Sequence, residues 1–404
     1  MREEFRPLLE WIDAEAAGLR QPLIALARQN SGSFNPEGVR AVASQMAQRF
    51  APLGARAEWL DLPAHRSTAD DGRWRERAIG PALRLRQRPE APLQIFLGGH
   101  LDTVYAADSA FQDARFGDDD TLHGPGVADL KGGLLVMWLA LSALERSPWR
   151  ERVGWEVLLN PDEEIGSTGS APLLLEAARR NRLGLVYEPA FADGGLASAR
   201  KGSGNFEILA HGRAAHAGRN PQDGRNAVVA SARLVAAVES LNGQRPGLTL
   251  NPGYLRGGGA LNVVPDFCLF KFNVRTQEPA DECWLQEQLD LILTRAQGEG
   301  LRYELRGGFT RPPRPVNDGM QRLMHWIEDC GRELGVALSF KPTGGCCDGN
   351  NLAAAGLATV DNLGVVGRDI HSERETMRWS SLAERARLSA LLLLRLARGD
   401  YVPD

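Results

Sequence analysis

The spacing of apolar residues predicts helices in the first fifty positions of the chain. Apolar residues recur every three or four positions, at Leu8, Leu9, Ile12, Leu19, Leu23 and Ile24. This period predicts one or two amphipathic helices over residues 5–30. The polar stretch 31–36 predicts a loop, and the proline at its end predicts the first turn of a helix that continues to residue 50. The arginine-rich stretch 64–77 lacks this period, and we interpret it as an exposed connection.

Short apolar runs then alternate with amphipathic segments. The runs predict strands at 93–97, 153–159 and 183–187, and the segments between them predict helices at 131–144 and 170–180. Strands that alternate with helices in this way pair in parallel through right-handed crossovers. The pattern therefore predicts an α/β fold in which a mixed, mainly parallel sheet lies between helices.

The pattern changes after residue 200. The predicted elements are, in order, a strand at 205–210, a helix at 227–241, a strand at 267–274, a helix at 281–296 and a strand at 301–305. We interpret this order as β-α-β-β-α-β, which is typical of a ferredoxin-like α+β two-layer sandwich. We predict that it forms a domain at 200–308, inserted into a first domain made of residues 1–199 and 309–404. The proline-rich segment 307–315 is interpreted as the return linker, with a polyproline ligand as the alternative.

The composition is that of a folded protein rather than a disordered or fibrous one. Hydrophobic residues make up 43% and charged residues 24% of the 404 positions, which is close to globular averages. A chain of this length exceeds what one hydrophobic core usually spans, so two domains are expected. The 47 basic and 51 acidic residues leave a formal net charge of −4, and no basic excess predicts a nucleic-acid partner.

Neither a membrane span nor a secretory signal is predicted. The chain lacks a run of about 18 uncharged apolar residues, and its charged first segment lacks the apolar core of a signal peptide. We therefore expect a cytoplasmic protein without a membrane partner. The five cysteines form neither a disulfide framework nor a CxxC pair typical of a structural zinc site.

Polar residues of a metal-binding type follow the predicted strand at 93–97, the first of the predicted parallel strands. Residues 98–104 read GGHLDTV, and ligands of parallel sheets bind beyond the carboxyl ends of the strands. His100 occupies that place. Asp102, two residues on, can fix the tautomer of the imidazole by accepting its other N–H. A turn with a capping aspartate is the alternative interpretation.

A glycine-rich segment places a further acidic residue at the entry of a predicted helix. Residues 123–133 read HGPGVADLKGG, which predicts tight turns before Asp129. The spacing matches neither the phosphate loop nor the dinucleotide-binding fingerprint. Taken alone, Asp129 fits a helix N-cap equally well.

Acidic residues also follow the second and third strands. Residues 160–166 read NPDEEIG, and adjacent carboxylates repel each other unless a cation neutralises them. A solvated acidic loop is the alternative.

Glu188 follows the third strand, and His371 lies in a late segment that reads DIHSE. Because a parallel sheet delivers strand ends to one edge, these groups predict a shared site whose two histidines and three carboxylates suit zinc-type ions. The absence of a G-x-S-x-G motif leaves a serine hydrolase without support.

The motifs GGHLDTV, GPGVADLKGG and PDEEIGS, in this order, resemble those of the di-zinc metallopeptidase family that contains glutamate carboxypeptidase, acetylornithine deacetylase and succinyl-diaminopimelate desuccinylase. The resemblance spans nearly the whole chain and is closest to the glutamate carboxypeptidase branch. It implies a zinc-peptidase-like catalytic domain and an inserted domain that serves as lid and dimerisation surface. It also implies two divalent metal ions as cofactors, zinc in the first place, with cobalt or manganese as alternatives.

The resemblance implies a role for each residue of the predicted metal site. Asp129 is expected to bridge both metal ions, and the peptide bond that follows it is expected to be cis. One metal site adds His100 and Glu188. The other metal site adds Glu164 and His371.

The same resemblance implies the catalytic groups. Asp102 is expected to buttress His100. Glu163 is expected to be the general base, which takes a proton from the water that the metals share and later gives it to the leaving amine. His216, in the segment GRAAHAG, is expected to stabilise the oxyanion from the partner subunit's inserted domain, so a homodimer is implied. A surface histidine beside a helix is the alternative for His216.

Substrate-binding residues are also implied. Asn262, in GGGALNVVP, is expected to grip a carboxylate or carbonyl, and Arg275 is expected to hold the substrate's α-carboxylate, although a structural ion pair is the alternative. Lys201 resembles a lysine near the specificity pocket. Gly345 belongs to a stretch that reads GGCCDG where the family often has GG[ST]DA. We expect Cys346 in this stretch to pack as a small hydrophobe rather than to alter side-chain selection.

We therefore expect a metallohydrolase that cleaves an amide or peptide bond next to a free carboxylate in a small peptide or an N-acyl amino acid. An acetylornithine or succinyl-diaminopimelate type of deacylase is the alternative enzyme. A catalytically silent metal-binding scaffold is the alternative without activity. The presence of Glu163 and of every expected ligand argues against the scaffold.

Overall fold

The computed structural model describes residues 3–117, 119–298 and 300–403. Within these ranges the helices are α1 (Arg6–Ala17), α2 (Arg20–Arg28), α3 (Pro36–Phe50), α4 (Gly132–Glu145), α5 (Ala171–Arg180), α6 (Ala227–Glu239), α7 (Pro279–Ala296), α8 (Asp318–Leu334), α9 (Asp348–Ala354) and α10 (Ser381–Arg398). The helices predicted from apolar spacing are all present, and their ends differ from the prediction by no more than one or two residues.

The strands fall into several sheets. They are β1 (Arg56–Leu60), β2 (His65–Thr68), β3 (Trp74–Arg77), β4 (Ala82–Gln87), β5 (Leu93–His100), β6 (Arg115–Phe116), β7 (Thr121–His123), β8 (Val153–Asn160), β9 (Leu183–Val186), β10 (Leu196–Arg200), β11 (Gly202–His211), β12 (Thr249–Gly257), β13 (Phe267–Thr276), β14 (Arg302–Arg311), β15 (Phe340–Thr343), β16 (Ala358–Val360), β17 (Gly367–Arg368) and β18 (Thr376–Arg378).

The central sheet is mixed and mainly parallel, as predicted. Its strand order is β1-β4-β8-β5-β9-β16. The strands β8, β5, β9 and β16 run parallel to one another, whereas β4 pairs antiparallel with β8 and β1 pairs antiparallel with β4 at one edge. The carboxyl ends of β5, β8 and β9 therefore meet at one edge of the sheet, where a ligand site is expected.

Helices cover both faces of this sheet. The largest apolar cluster joins one face to α1, α3, α4 and α10, and a smaller cluster joins the other face to α5 and α9. The stretch Val127–Glu145 reaches a mean hydropathy of 1.6 over 18 residues, high enough for a membrane span, but that window is entirely buried in the fold. Because every side of α4 packs against protein, its apolar character is that of a core helix.

The inserted unit is a four-stranded antiparallel sheet with α6 and α7 packed on one face. Its strands lie in the order β12-β13-β11-β14, and along the chain they follow the predicted β-α-β-β-α-β sequence. Phenylalanines of the sheet and leucines of the two helices form its separate core. The ferredoxin-like arrangement is confirmed, although β12 is not among the individually predicted strands. The domain limits near 199, 200, 308 and 309 stay predictions, and the outer limits 1 and 404 lie outside the described residues.

The expected linker over 307–315 is wrong in its first part. β14 continues to Arg311 because β11 supplies hydrogen-bond partners along its whole length. Gly307 and Gly308 resemble linker residues in the sequence, but their positive φ angles of 84° and 150° are accommodated inside the strand.

The stretch 64–77 is mostly exposed, as expected, but it is a regular element rather than a plain connection. It folds into an antiparallel hairpin of β2 and β3, which we call the hairpin arm (residues 65–77). Its turn contacts the inserted sheet, where Lys271 donates to the carbonyl of Thr68 at 2.8 Å and Arg306 donates to that of Gly72 at 2.7 Å. The ring of Trp74 also lies against the guanidinium of Arg306, at 4.3 Å. Lys271, Arg306 and Trp74 therefore hold this segment in place, which its lack of apolar periodicity does not predict.

Candidate metal centre and catalytic cleft

The carboxyl ends of three parallel strands bring the predicted ligands to one edge of the central sheet. β5 ends at His100 and β8 ends at Asn160, four residues before Glu164, while β9 ends two residues before Glu188. His100 pairs with Asn160 in the strand register, so these two ends lie level with each other.

Asp129 presents its two carboxylate oxygens to two different histidines. Oδ1 lies 3.1 Å from Nε2 of His100, and Oδ2 lies 3.1 Å from Nε2 of His371. Glu188 approaches on the His100 side, with Oε2 at 3.9 Å from Nε2, and Glu164 approaches His371 at 3.1 Å. The structure thus brings all the expected ligands together and divides them into the two expected groups. Their use as metal ligands stays a prediction.

The electrostatics of this cluster favour a cation. Burial and the neighbouring Asp129 raise the pKa of Glu164 to about 7, and burial raises the pKa of Glu188 well above its usual value. Burial acts in the same direction on Asp129, but hydrogen bonds from His100 and His371 outweigh it and lower the pKa of that carboxyl. Hydrogen bonds to Asp129 and Glu164 raise the pKa of His371 to about 11.

The donor set fits divalent ions of the zinc type. One donor atom each from His100, Asp129 and Glu164 lies within 4.8 Å of the others. Imidazole nitrogens and carboxylate oxygens are the ligands that zinc, cobalt and manganese accept. Buried carboxylates this close together repel one another unless positive charge neutralises them. A pair of divalent ions would supply that charge in place of the protons on the imidazole rings.

Glu163 lies beside this cluster and is held by an arginine that no motif predicts. Its side chain is only 11% exposed. Burial raises the pKa of Glu163 to about 8, against the opposing effect of the Arg311 guanidinium. Nη2 of Arg311 donates to Oε1 of Glu163 at 2.8 Å. Among the described residues no hydrogen bond engages Oε2, which leaves that oxygen for a substrate or a water.

Asp102 supports the site differently from the expectation. The backbone carbonyl of Asp102 lies 2.9 Å from Nδ1 of His100, closer than its carboxylate at 3.5 Å. The carbonyl therefore fixes the ring tautomer and leaves Nε2 for a metal ion. The carboxylate instead accepts the amides of Glu163 and Glu164 at 3.1 and 3.2 Å and the hydroxyl of Ser33 at 2.7 Å. Asp102 thus positions the segment that carries the base and one ligand.

Glu375 belongs to the site although no motif predicts it. Its buried carboxylate accepts hydrogen bonds of 2.7 to 3.0 Å from the hydroxyl of Tyr105 and from the backbone N–H groups of Gly126, Ala128 and Asp129. These bonds fix the glycine-rich turn from which Asp129 projects. The peptide bond between Asp129 and Leu130 is cis, as the resemblance implies.

Arg275 joins the inserted unit to the glycine-rich segment of the central unit. Its Nη1 donates to Sγ of Cys346 at 3.1 Å, and its Nε donates to Oδ1 of Asn273 at 3.1 Å. Cys346 therefore contacts a guanidinium as well as filling space. Gly345 is exposed beside it, with its N–H 3.3 Å from Oγ1 of Thr343.

Lys201 lies in the short connection between β10 and β11, where the chain enters the inserted sheet. Its Nζ donates to the backbone carbonyl of Gly247 at 2.6 Å. Within the described residues, neither Lys201 nor Arg275 has an ion-pair partner.

The structure does not bring His216 and Asn262 to the metal cluster. Both lie exposed on the inserted unit, side by side, with the N–H of Ala217 donating to the carbonyl of Asn262 at 2.9 Å. Nδ1 of His216 accepts the amides of Gly218 and Arg219 at 3.1 and 3.2 Å. Nδ1 therefore carries no proton, the N–H of this imidazole is at Nε2, and Nε2 has no hydrogen-bond partner among the described residues. No contact among the described residues joins His216 to the cluster.

The chain is similar to known hydrolases over most of its length. It is 28% identical over 314 residues to carboxypeptidase G2 from Pseudomonas sp. strain RS-16, covering 76% of this chain and 74% of that protein. It is 26% identical over 328 residues to succinyl-diaminopimelate desuccinylase 2 from Shewanella loihica, covering 76% of this chain and 86% of that protein.

A solved structure with the same fold is that of an M20 family metallo-carboxypeptidase from Sulfolobus solfataricus. The TM-score is 0.70, with 16% identity, over 97% of this chain and 99% of that chain. The sequence model of the peptidase family M20/M25/M40 matches residues 96–395. The protein therefore belongs to the M20/M25/M40 peptidase family and is a hydrolase related to carboxypeptidase G2 and the desuccinylases.

Proposed function

We propose that this peptidase is a co-catalytic metallohydrolase that cleaves an amide or peptide bond next to a free carboxylate. Its nearest functional types are a glutamate carboxypeptidase and an N-acyl-amino-acid amidohydrolase. The observation that carries the proposal is the placement of Asp129 between two histidines, with one oxygen towards each. This arrangement suits a carboxylate that bridges two cations.

The proposed ligands are the five clustered residues. Asp129 would bridge, His100 and Glu188 would complete one site, and Glu164 and His371 would complete the other. When bound, two divalent ions supply Lewis-acid chemistry, which polarises a carbonyl and lowers the pKa of water.

The chain's own residues perform the proton transfers in this proposal. Oε2 of Glu163 accepts a proton from the attacking water while Oε1 stays bonded to Arg311. As the C–N bond breaks, Glu163 returns that proton to the nitrogen, which leaves as an amine. Nε2–H of His216 is a free donor that can stabilise the negative oxygen of the tetrahedral intermediate.

Recognition of a free carboxylate is supported by two cations, Arg275 and Lys201, that have no ion-pair partner among the described residues. The planar guanidinium of Arg275 has Nη2 free for a bidentate contact, and the ammonium of Lys201 lies in the connection that leads into the same sheet. A deacylase of the succinyl-diaminopimelate type is the second candidate, because those relatives match the chain over a comparable length.

A homodimer is proposed because His216 has no route to the cluster within one chain. β12 is one of the two outer strands of the inserted sheet, and no other strand pairs with its free side within the described chain. The surface beside it exposes apolar side chains, at Val229, Tyr254, Leu255, Leu261 and Val263. Leu261 is 99% exposed. Such an open strand edge with apolar neighbours suits pairing with a second copy of the chain.

The test is a hydrolysis screen of the metal-stripped protein, reloaded separately with zinc, cobalt and manganese. The substrates are N-acyl amino acids, dipeptides and N-succinyl amino acids, each with a matched carboxyl-amidated analogue. We expect metal-dependent hydrolysis of the free acids and little hydrolysis of the amides. Equal rates on both forms would contradict carboxylate recognition.

Two variants accompany the screen. Glu163→Gln should retain metal but lose about a hundredfold or more in kcat, the usual share of a general base. Arg275→Lys should raise KM about tenfold for free acids only, because an ammonium loses the fork geometry. Unchanged kcat in the first variant would remove Glu163 as base, and an equal effect on amidated analogues in the second would remove the clamp.

A further inference from the structure

Arg311 is the most heavily engaged side chain near the catalytic cleft, although it is neither a predicted ligand nor a predicted substrate contact. It is 3% exposed. Its Nη2 donates to the backbone carbonyl of Glu163 at 2.9 Å, to Oε1 of Glu163 at 2.8 Å and to Oγ of Ser167 at 3.0 Å. Its Nη1 donates to Oδ1 of Asp348 at 2.8 Å and to Oδ1 of Asn351 at 3.2 Å.

The backbone of β14 aims this side chain. Ser203 of β11 pairs with Arg311, but the next residue of β11 pairs with Phe309, so Thr310 is an extra residue in the ladder. Such a bulge turns the strand locally and redirects the side chain that follows. The carbonyl of Thr310 is in turn held by the side chain of Asn351 at 3.1 Å. The bulge and helix α9 together fix where the guanidinium points.

The contacts of Arg311 restrain both parts of the base. Its bond to the carbonyl of Glu163 fixes the backbone, and its bond to Oε1 fixes the carboxylate plane. Oε2 is left without a hydrogen bond among the described residues. Arg311 therefore holds Oε1 of Glu163, and Oε2 is free to exchange a proton.

We propose that Arg311 is a positioning residue, which holds the carboxylate of Glu163 so that Oε2 is aligned for proton transfer and which ties that alignment to the inserted sheet. Among the described residues, no hydrogen bond or ion pair joins Arg311 to a proposed metal ligand. Asp348 and Ser167 hold the guanidinium from behind, and the hydroxyl of Ser167 also donates to Oδ1 of Asp348. This inference rests on the proposed function, in which Glu163 is the general base.

The test is a double-mutant cycle of Arg311→Ala and Glu163→Gln in the metal-loaded full chain. Arg311→Ala should lower kcat about a hundredfold, the effect expected of a misplacement by about 1 Å, and leave KM and metal content unchanged. In the Glu163→Gln background, Arg311→Ala should cause no further loss, because the group it positions no longer transfers protons. Guanidinium ion added at low concentration should restore part of the kcat of Arg311→Ala, and urea at the same concentration should not.

The controls separate this role from a structural one. Arg302→Ala removes an exposed arginine from the same strand and should leave kcat unchanged. Arg311→Lys keeps the charge but cannot make the forked contacts, so it should lose kcat nearly as much as Arg311→Ala and should serve if the alanine variant unfolds. If Glu163→Gln is impaired and Arg311→Ala lowers its residual rate by the full factor, the positioning role is overturned while the proposed function stands. If Glu163→Gln keeps wild-type kcat, the base assignment and the inference fall together.

Discussion

The imidazole of His371 holds a proton where the proposed function needs a metal ion. Nε2 of this ring lies 3.1 Å from both Asp129 and Glu164, and hydrogen bonds to these carboxylates raise the pKa of His371 to about 11. The ring is therefore charged at neutral pH in the metal-free protein. A metal ion can coordinate only the neutral ring, so loading must release this proton.

Metal affinity should consequently rise with pH across the neutral range. Because its pKa is raised, His371 binds its proton more tightly than a free histidine does, and this proton competes with the metal ion. Each unit by which the pH rises weakens this competition and raises the apparent metal affinity by up to about tenfold per proton displaced. Competition with a chromophoric chelator from about pH 6 to 8 measures the slope, and a pH electrode in unbuffered solution measures the released protons.

The matched control for this pH dependence is His325→Ala, which removes an exposed histidine of α8 with no proposed role and should leave the slope unchanged. His371→Ala should flatten the slope and weaken binding of one of the two ions. An affinity that does not change with pH would show that this site does not exchange protons for metal.

At the scale of elements, the loop between β17 and β18 supports the site from two sides. It supplies His371, in a left-handed backbone conformation with φ of 62°, and Glu375, whose carboxylate receives the amides of the turn before Asp129. One loop therefore sets the relative position of a predicted ligand and of the predicted bridge. A non-glycine residue in the left-handed region persists only where its surroundings fix it.

Glu375→Gln should weaken both the fold and the metal site. The amide of glutamine offers one acceptor oxygen and turns a donor towards the backbone N–H groups, which leaves buried donors unsatisfied at a cost of about 2 kcal/mol in the free energy of unfolding. We also expect metal affinity to fall about tenfold to a hundredfold, as for other groups that orient ligands. Urea unfolding and metal titration measure the two effects.

Glu373→Gln is the matched control, because Glu373 is exposed two residues away and its side chain makes no hydrogen bond or ion pair within the described part of the chain. It should change neither quantity. If both variants behave alike, the loop does not hold the turn in the way the hydrogen bonds indicate.

The sequence predicts the elements with strong periodicity and the site residues at the ends of parallel strands. α3 and α4 follow from apolar spacing, and His100 and Glu188 follow from their positions after β5 and β9. Arg311 and Glu375 could not be predicted in this way. Their importance lies in hydrogen bonds to residues more than a hundred positions away in the chain, which no local pattern records.

The hairpin arm shows the same limit. β2 and β3 are rich in arginine and lack an apolar face, so local spacing gives no reason for them to be ordered. They are ordered because Thr68 and Gly72 offer backbone carbonyls to Lys271 and Arg306 of a sheet that begins more than a hundred residues later. Such contacts between residues far apart in one chain become visible only in the folded molecule.

At the scale of the whole molecule, polar contacts among the described residues join the inserted unit to the central unit at several places. The hairpin arm meets one face of the inserted sheet, Arg275 meets Cys346, and Arg311 meets Glu163. None of these contacts brings His216 to the cluster. The proposed active site therefore lacks its oxyanion donor within one chain, and a second copy is the source that the exposed edge of β12 favours.

Mixing two inactive variants tests whether His216 acts across subunits. Glu163→Gln and His216→Ala each disable every site of a homodimer. In a heterodimer that uses His216 in trans, the site with intact Glu163 receives the intact His216 of the other chain, so one of two sites is restored. Random exchange of subunits should then recover about a quarter of wild-type kcat.

The same experiment distinguishes the other arrangement. If His216 acts within its own chain, each site of the heterodimer lacks one group and mixing recovers nothing. A charged substitution at the exposed edge, Leu261→Arg, should abolish the recovery and convert the protein to monomers by light scattering. Recovery that survives loss of the dimer would contradict the proposed role of β12, because no other described surface combines an open strand edge with a fully exposed leucine.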